Sequence, residues 1–128
     1  MDENEIAKEV VDAAYKIHIA LGPGLLESVY EVVLEYELKK RGLRVVRQKP
    51  LPVLYESVSI EAGYRADMIV EEKVILELKS VEELAPVHKK QLLTYLRLAD
   101  KRLGLLINFG DALIKHGITM IVNNLPDH

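Results

Sequence analysis

YRADMIVEEKVILELKS, residues 64–80, contains two apolar strand-like runs, Tyr64 to Val70 and Val74 to Ser80, separated only by Glu71-Glu72-Lys73. A gap this short joins two strands as a hairpin. If the three residues form the loop, Val70 pairs with Val74 and Ile69 with Ile75, and the continued register places Asp67 across from Glu77. A two-residue turn would slip the register by one and break that pairing. Side chains alternate along a strand, so Glu77 and Lys79 share one face while Leu76 and Leu78 take the other.

Two carboxylates opposed on adjacent strands repel. At about 5 Å and an effective dielectric of about 20, the repulsion is roughly 3 kcal/mol, and cross-strand like charges are normally avoided. A chain that keeps them needs a counterion, and a hard divalent cation with oxygen ligands is the natural one. Lys79 stands beside Glu77, where an ammonium could stabilise charge developing on a phosphate. Taken alone, Glu-x-Lys is commonplace and reads first as a solvated strand face.

Outward from the hairpin the pattern is helical before and mixed after. Ile6, Val10, Ala13, Ala14, Ile17 and Leu21 recur at helical spacing, predicting an amphipathic helix over about 4–21 with Asn4 as its cap and Gly22-Pro23-Gly24 as its stop. A second helix is expected from about Leu26 to Arg41, with Leu26, Val29, Val33, Tyr36 and Lys40 as its stripe and Gly42 just past its end. Leu43 to Tyr55, broken by Pro50 and Pro52, reads as strand pieces near a sheet edge. Pro86 opens a third helix over about Val87 to Asp100. The continuous apolar run Leu103 to Phe109 has the length of a strand covered on both faces, and Ile118 to Val122 is a last short strand. Helices followed by a strand meander, a helix and further strands make a mixed α/β sheet sandwiched by helices.

The bulk properties agree with one soluble domain spanning 1–128. The chain has 128 residues, 49% hydrophobic and 29% charged, with no repeat or linker. No apolar run approaches the roughly 20 residues of a membrane helix, and the polar start MDENE does not fit a signal peptide; a cytoplasmic protein is expected. With no cysteine, disulfides and thiolate metal sites are excluded. A net charge of −3 argues against broad coating of nucleic acid but leaves room for a local basic groove.

Asp67 followed ten positions on by Glu77-Leu78-Lys79 resembles the D…(D/E)xK signature of the PD-(D/E)XK nuclease superfamily, with Ala66 where the superfamily name has proline. Gly24-Leu25-Leu26-Glu27-Ser28-Val29-Tyr30 matches the motif that names the GxxExxY protein family. Gln91-Leu92-Leu93-Thr94-Tyr95 is similar to the QxxxY element of the exonuclease-type branch. The closing LINFG and GITMIVN runs resemble the family's final strands, so the likeness covers nearly the whole chain.

The resemblance implies a restriction-endonuclease-like αβββαβ core with an extra N-terminal helix, and a nuclease assisted by Mg²⁺ or Mn²⁺. It implies Asp67, Glu77 and the Leu78 carbonyl as metal ligands, with Glu27 joining from the first core helix and Lys79 orienting and activating the attacking water. Gln91 would hold Lys79 or Glu77, and Tyr95 a phosphate, though Tyr95 also reads as a half-buried aromatic. Without the motif, Glu27 is an ordinary first-turn glutamate favoured by the helix dipole. His88 reads as a solvated helix-start histidine, with a proton-transfer role as the alternative, and His18 as structural.

Lys89, Lys90, Arg97, Lys101 and Arg102 around the third helix, with Arg44, Arg47 and Lys49, are candidates for phosphate contact. Each also serves as solubilising charge. No segment resembles a base-reading module, so the expected substrate is nucleic acid, DNA above all, held without base specificity. A chain this small has little surface to grip a duplex, and a homodimer or a partner protein is expected. Two rivals remain open: a nuclease-like module that binds nucleic acid or protein without cutting, and a metal-dependent phosphoryl hydrolase acting on nucleotides or RNA.

Overall fold

A computed structural model describes residues 1–125. In chain order the elements are α1 (Glu3–Leu21), α2 (Glu27–Lys40), β1 (Val45–Pro50), β2 (Val53–Tyr55), β3 (Val58–Ile60), β4 (Arg65–Val70), β5 (Val74–Lys79), α3 (Pro86–Ala99), β6 (Leu103–Asn108), α4 (Ile114–Gly117) and β7 (Ile118–Val122). β1, β4, β5, β6 and β7 form one five-stranded sheet in that spatial order, and β2 with β3 forms a separate ribbon. All neighbours are antiparallel except β5 and β6, which run parallel because α3 carries the chain back between them. The succession α2, β1, β4, β5, α3, β6 is the expected αβββαβ core, and α1 is the extra N-terminal helix. Among the described residues no helix is long and apolar enough to cross a membrane.

The alternation read from the hairpin divides the core into two layers. Met68, Val70, Leu76, Leu78, Leu105 and Ile107 pack with α1 and α2 on one face of the sheet. Ile69, Ile75 and Leu106 meet Leu92, Leu96 and Tyr95 of α3 on the other. Each fully buried Leu or Ile stabilises by about 1.5–3 kcal/mol, and β6 is buried along its whole length, as its unbroken apolar run predicts.

Two local readings are corrected. Asp2, not Asn4, caps α1, in a reciprocal box with Glu5. On α2 the buried stripe is Tyr30, Glu31, Leu34, Glu37 and Leu38, while Leu26 and Tyr36 stand 73% and 66% exposed. That face carries two glutamates, which the apolar pattern passes over. Both are met by cations: Glu37 by Lys16, far away in sequence, and by Arg41 one turn on, and Glu31 by Arg47. The small elements β2, β3 and α4 are too short for their periodicity to be read.

Candidate active site

The β4–β5 hairpin has the expected three-residue loop and register, Val70 on Val74, Ile69 on Ile75 and Met68 on Leu76. The pairing stops there, so the expected direct opposition of Asp67 and Glu77 is not part of the ladder. Instead the Asp67 carboxylate reaches between the strands, and its Oδ2 accepts the Leu78 amide at 2.8 Å. A strand residue directs its N–H and C=O toward the same neighbour, so the Leu78 carbonyl faces the same gap.

On its other side Asp67 is met by Gln48. Register places Gln48 between the pairs Arg47–Met68 and Lys49–Ala66, directly across β1 from Asp67. Its amide Nε2 donates to Asp67 Oδ1 at 3.4 Å and to the buried Glu31 Oε1 at 3.0 Å. Gln48 does this from a left-handed backbone, φ +52°, a conformation that costs a non-glycine residue about 1–2 kcal/mol. Sequence reading missed Gln48 and its link to Glu31, because no motif marks a strained glutamine in a strand.

Glu77 is the electrostatic centre. Its side chain lies on the α3 face, the residue is only 8% exposed, and Oε1 is buried with no hydrogen-bond partner. Burial, followed by the hydrogen bond and charge of the adjacent Asp67 carboxyl, pushes the Glu77 carboxyl up to about 10; the Lys79 charge opposes this more weakly. At neutral pH and without a cation, Glu77 therefore keeps its proton. Two carboxylates, one with an orphaned oxygen, and a carbonyl facing the same gap form an all-oxygen donor set. Among the described residues no three or more acidic, histidine or cysteine side chains are grouped so as to hold a metal ion by themselves. Mg²⁺ is commonly held by only one or two carboxylates, so the set fits such an ion.

Lys79 ends β5 two residues beyond Glu77, half-buried, and makes no ion pair among the described residues. Tyr95 of α3 is buried, with its phenol pushed above its usual range by burial and then by the Glu77 and Asp67 charges. Gln91 is exposed and lies beside Tyr95; the expected bond to Lys79 or Glu77 is not formed. Tyr64, just before β4, has its ring 6.2 Å from that of Tyr95 and was not foreseen at the site. Glu27 is exposed in the first turn of α2. It shares an open depression with Ser80, the residue after Lys79, and makes no side-chain hydrogen bond among the described residues. His88 Nδ1 accepts the Ala85 amide at 3.2 Å and helps start α3, while His18 Nε2 meets the Asp111 carbonyl at 2.8 Å and ties α1 to the turn after β6. Arg47 is engaged by Glu31 and Glu35, and Arg44, largely exposed, pairs with Glu71.

Other motif residues build the frame. Tyr30 is fully buried, stacks on Phe109 at 4.3 Å, donates to the Gly22 carbonyl and accepts the Leu25 amide. Gly24 sits at φ +101°, a region open to glycine, so the Gly24…Tyr30 pair shapes the turn that delivers Glu27. Ser80 Oγ donates to the Leu25 carbonyl at 2.6 Å and fastens that turn to the end of β5. Asn108, fully buried, uses its amide to hold both the N–H and the C=O of Val81. A side chain at Gly110 would collide with the Val81 backbone. Together these fix the chain where it leaves Lys79.

The sequence model of the PD-(D/E)XK nuclease superfamily matches residues 4–121. The chain belongs to that superfamily. The match takes in α1 to β7 and every residue of the centre just described. No match was found among curated proteins or solved structures. PD-(D/E)XK proteins are mostly nucleases and usually use divalent metals such as Mg²⁺, so a nuclease acting on nucleic acid is the activity the membership suggests.

Proposed function

We propose that this protein hydrolyses phosphodiester bonds in DNA with the help of Mg²⁺ or Mn²⁺, at a centre made by Asp67, Glu77 and Lys79. The observation that carries the reading is the orphaned, buried Glu77 Oε1 beside an Asp67 carboxylate and a backbone carbonyl that open on the same gap. Asp67, Glu77 and the Leu78 carbonyl would hold the cation, which when bound polarises the scissile phosphate and offsets its charge. Lys79 orients and activates the attacking water, and its ammonium faces the charge that develops on the phosphate. Glu27 supports the site from the start of α2. Gln91 and Tyr95 act from its α3 side, where the Tyr95 hydroxyl would donate to a phosphate oxygen. The Gly24, Glu27 and Tyr30 pattern supports placement in the GxxExxY branch. A homodimer or a partner protein would extend the small surface available for a duplex.

The test is cleavage of linear and circular DNA, single- and double-stranded, in Mg²⁺, Mn²⁺ or EDTA, with Lys79→Ala and Asp67→Ala beside the wild type. Metal-dependent cutting that disappears in both variants establishes the assignment, and circular substrates separate endonuclease from exonuclease. Equal inertness of all three proteins would remove the enzyme reading and leave a binding role.

A further inference from the structure

On the α3 side of the sheet, α3 and the base of the β2–β3 ribbon border an open recess of about 420 Å³. Tyr64 and Tyr95 form its aromatic side, Val53 and Val87 its aliphatic side, and Lys90 with Gln91 its polar rim. The two tyrosine rings are tilted by 55°, so they do not stack on each other and leave ring surface uncovered. Tyr64 is 44% exposed, yet its backbone carbonyl accepts the Leu51 amide at 2.8 Å, which fixes where the ring starts. Tyr95 belongs to the buried layer that α3 forms with Ile75 of β5, so the recess lies on the same face of the sheet as the Glu77 side chain.

The chemistry of the lining selects the ligand. An aromatic ring with free surface, an aliphatic wall, an amide able to donate and accept, and a lysine at the rim suit a flat heterocycle attached to a phosphate. A base inside a continuous duplex has both faces stacked and cannot enter. We infer that Tyr64 is a stacking platform for one unpaired nucleobase of the substrate, so the site takes single-stranded or frayed ends in preference to intact duplex. This rests on the nuclease reading and assigns to that reading its substrate class.

The test is equilibrium binding in EDTA, where no cleavage occurs, of a fluorescent single-stranded oligonucleotide, the same strand with one abasic position, and the corresponding duplex. Wild type, Tyr64→Phe and Tyr64→Ala are compared, with thermal melting of each to show that the fold is retained. Stacking on a protein aromatic contributes enough that its loss weakens binding roughly 5- to 100-fold. Tyr64→Ala is expected to lose that factor on the single strand and less than about twofold on the duplex, with Tyr64→Phe close to wild type. The abasic strand should bind wild type more weakly, yet show no further loss on Tyr64→Ala, because the two changes remove the same contact. Equal weakening of single strand and duplex, or an abasic penalty unchanged by Tyr64→Ala, would overturn the inference while metal-dependent cutting still upheld the nuclease reading. Failure of the wild type to bind or cut any of the substrates would overturn both.

Discussion

The two ends of the β4–β5 hairpin obey different rules. At the closed end, Val70, Val74, Ile69, Ile75, Met68 and Leu76 pair in register and are buried against helices on both sides. At the open end the ladder stops, an aspartate side chain replaces a backbone acceptor, a glutamine sits in a left-handed conformation, and a buried carboxylate oxygen has no partner. Local rules satisfied together specify a fold, and their clustered violation marks a site that the rest of the structure must hold in place. The closed end supplies the rigidity that lets the open end stay strained.

The difference predicts opposite responses to substitution. At the open end Asp67→Ala or Lys79→Ala should lower metal-dependent cleavage by at least about 10³-fold, as loss of a group acting on the transition state does. The melting temperature should change little. At the closed end Leu76→Ala should cost roughly 2–5 kcal/mol of stability, because it empties a fully buried position. Residual cleavage per folded molecule should remain within about threefold of wild type. Chemical denaturation with parallel assays reads both, and a Leu76→Ala protein that folds normally but cannot cut would erase the contrast.

Glu77 sharpens the comparison because its cost depends on pH. Its folded-state pKa of about 10 lies above the ordinary glutamate value of 4.5. The folded protein therefore holds this proton more tightly than the unfolded chain does. The contribution to stability is fully present below pH 4.5, falls as pH rises between the two values, and is gone above about 10. Glu77→Gln, which cannot ionise, should flatten that fall and gain of the order of 1–3 kcal/mol at alkaline pH in EDTA, while losing activity. Melting curves from pH 5 to 9 test this; a wild type no less stable at pH 9 than at pH 5 relative to Glu77→Gln would contradict it. Saturating Mg²⁺ at pH 8 should restore wild-type stability by about 2.7 kcal/mol at a hundredfold excess over its dissociation constant, and give Glu77→Gln much less.

Legibility in the sequence followed the same division. The hairpin register could be read because three polar residues separate two apolar runs, and β6 because its run is unbroken. The α2 stripe could not, because Glu31 and Glu37 are buried through ion pairs with residues 16 and 21 positions away, respectively Arg47 and Lys16. Asp67, Glu77, Lys79 and Tyr95 were singled out as candidates through motif spacing. Gln48 and Tyr64 were not, since their placement depends on β1 crossing Asp67 and on a ribbon too short to carry a pattern. Gly24, Tyr30 and Gly110 were legible as motif residues, but only the packing shows that they shape the frame.

Gln48 gives the smallest and most discriminating effect. Its left-handed backbone is strain that glycine would relieve, yet glycine adds conformational freedom to the unfolded chain, worth about 0.5–1 kcal/mol in a strand. Gln48→Gly should therefore change stability by less than about 1 kcal/mol in either direction. The same substitution removes the amide that holds the Asp67 and Glu31 carboxylates 3.4 Å and 3.0 Å away. Asp67 is left with the Leu78 amide alone, free to turn out of the gap, and cleavage should drop by roughly tenfold, the size of effect seen when a residue that orients a metal ligand is lost. The drop should be recovered in part by raising Mg²⁺, because a misoriented ligand weakens cation binding before it weakens chemistry. Gln48→Ala should lose the same activity while keeping the backbone strain, so the two variants together separate the side chain's work from the backbone's. Equal activity of wild type and both variants would mean that the strain at Gln48 belongs to the closed, structural half of the hairpin rather than to its working end.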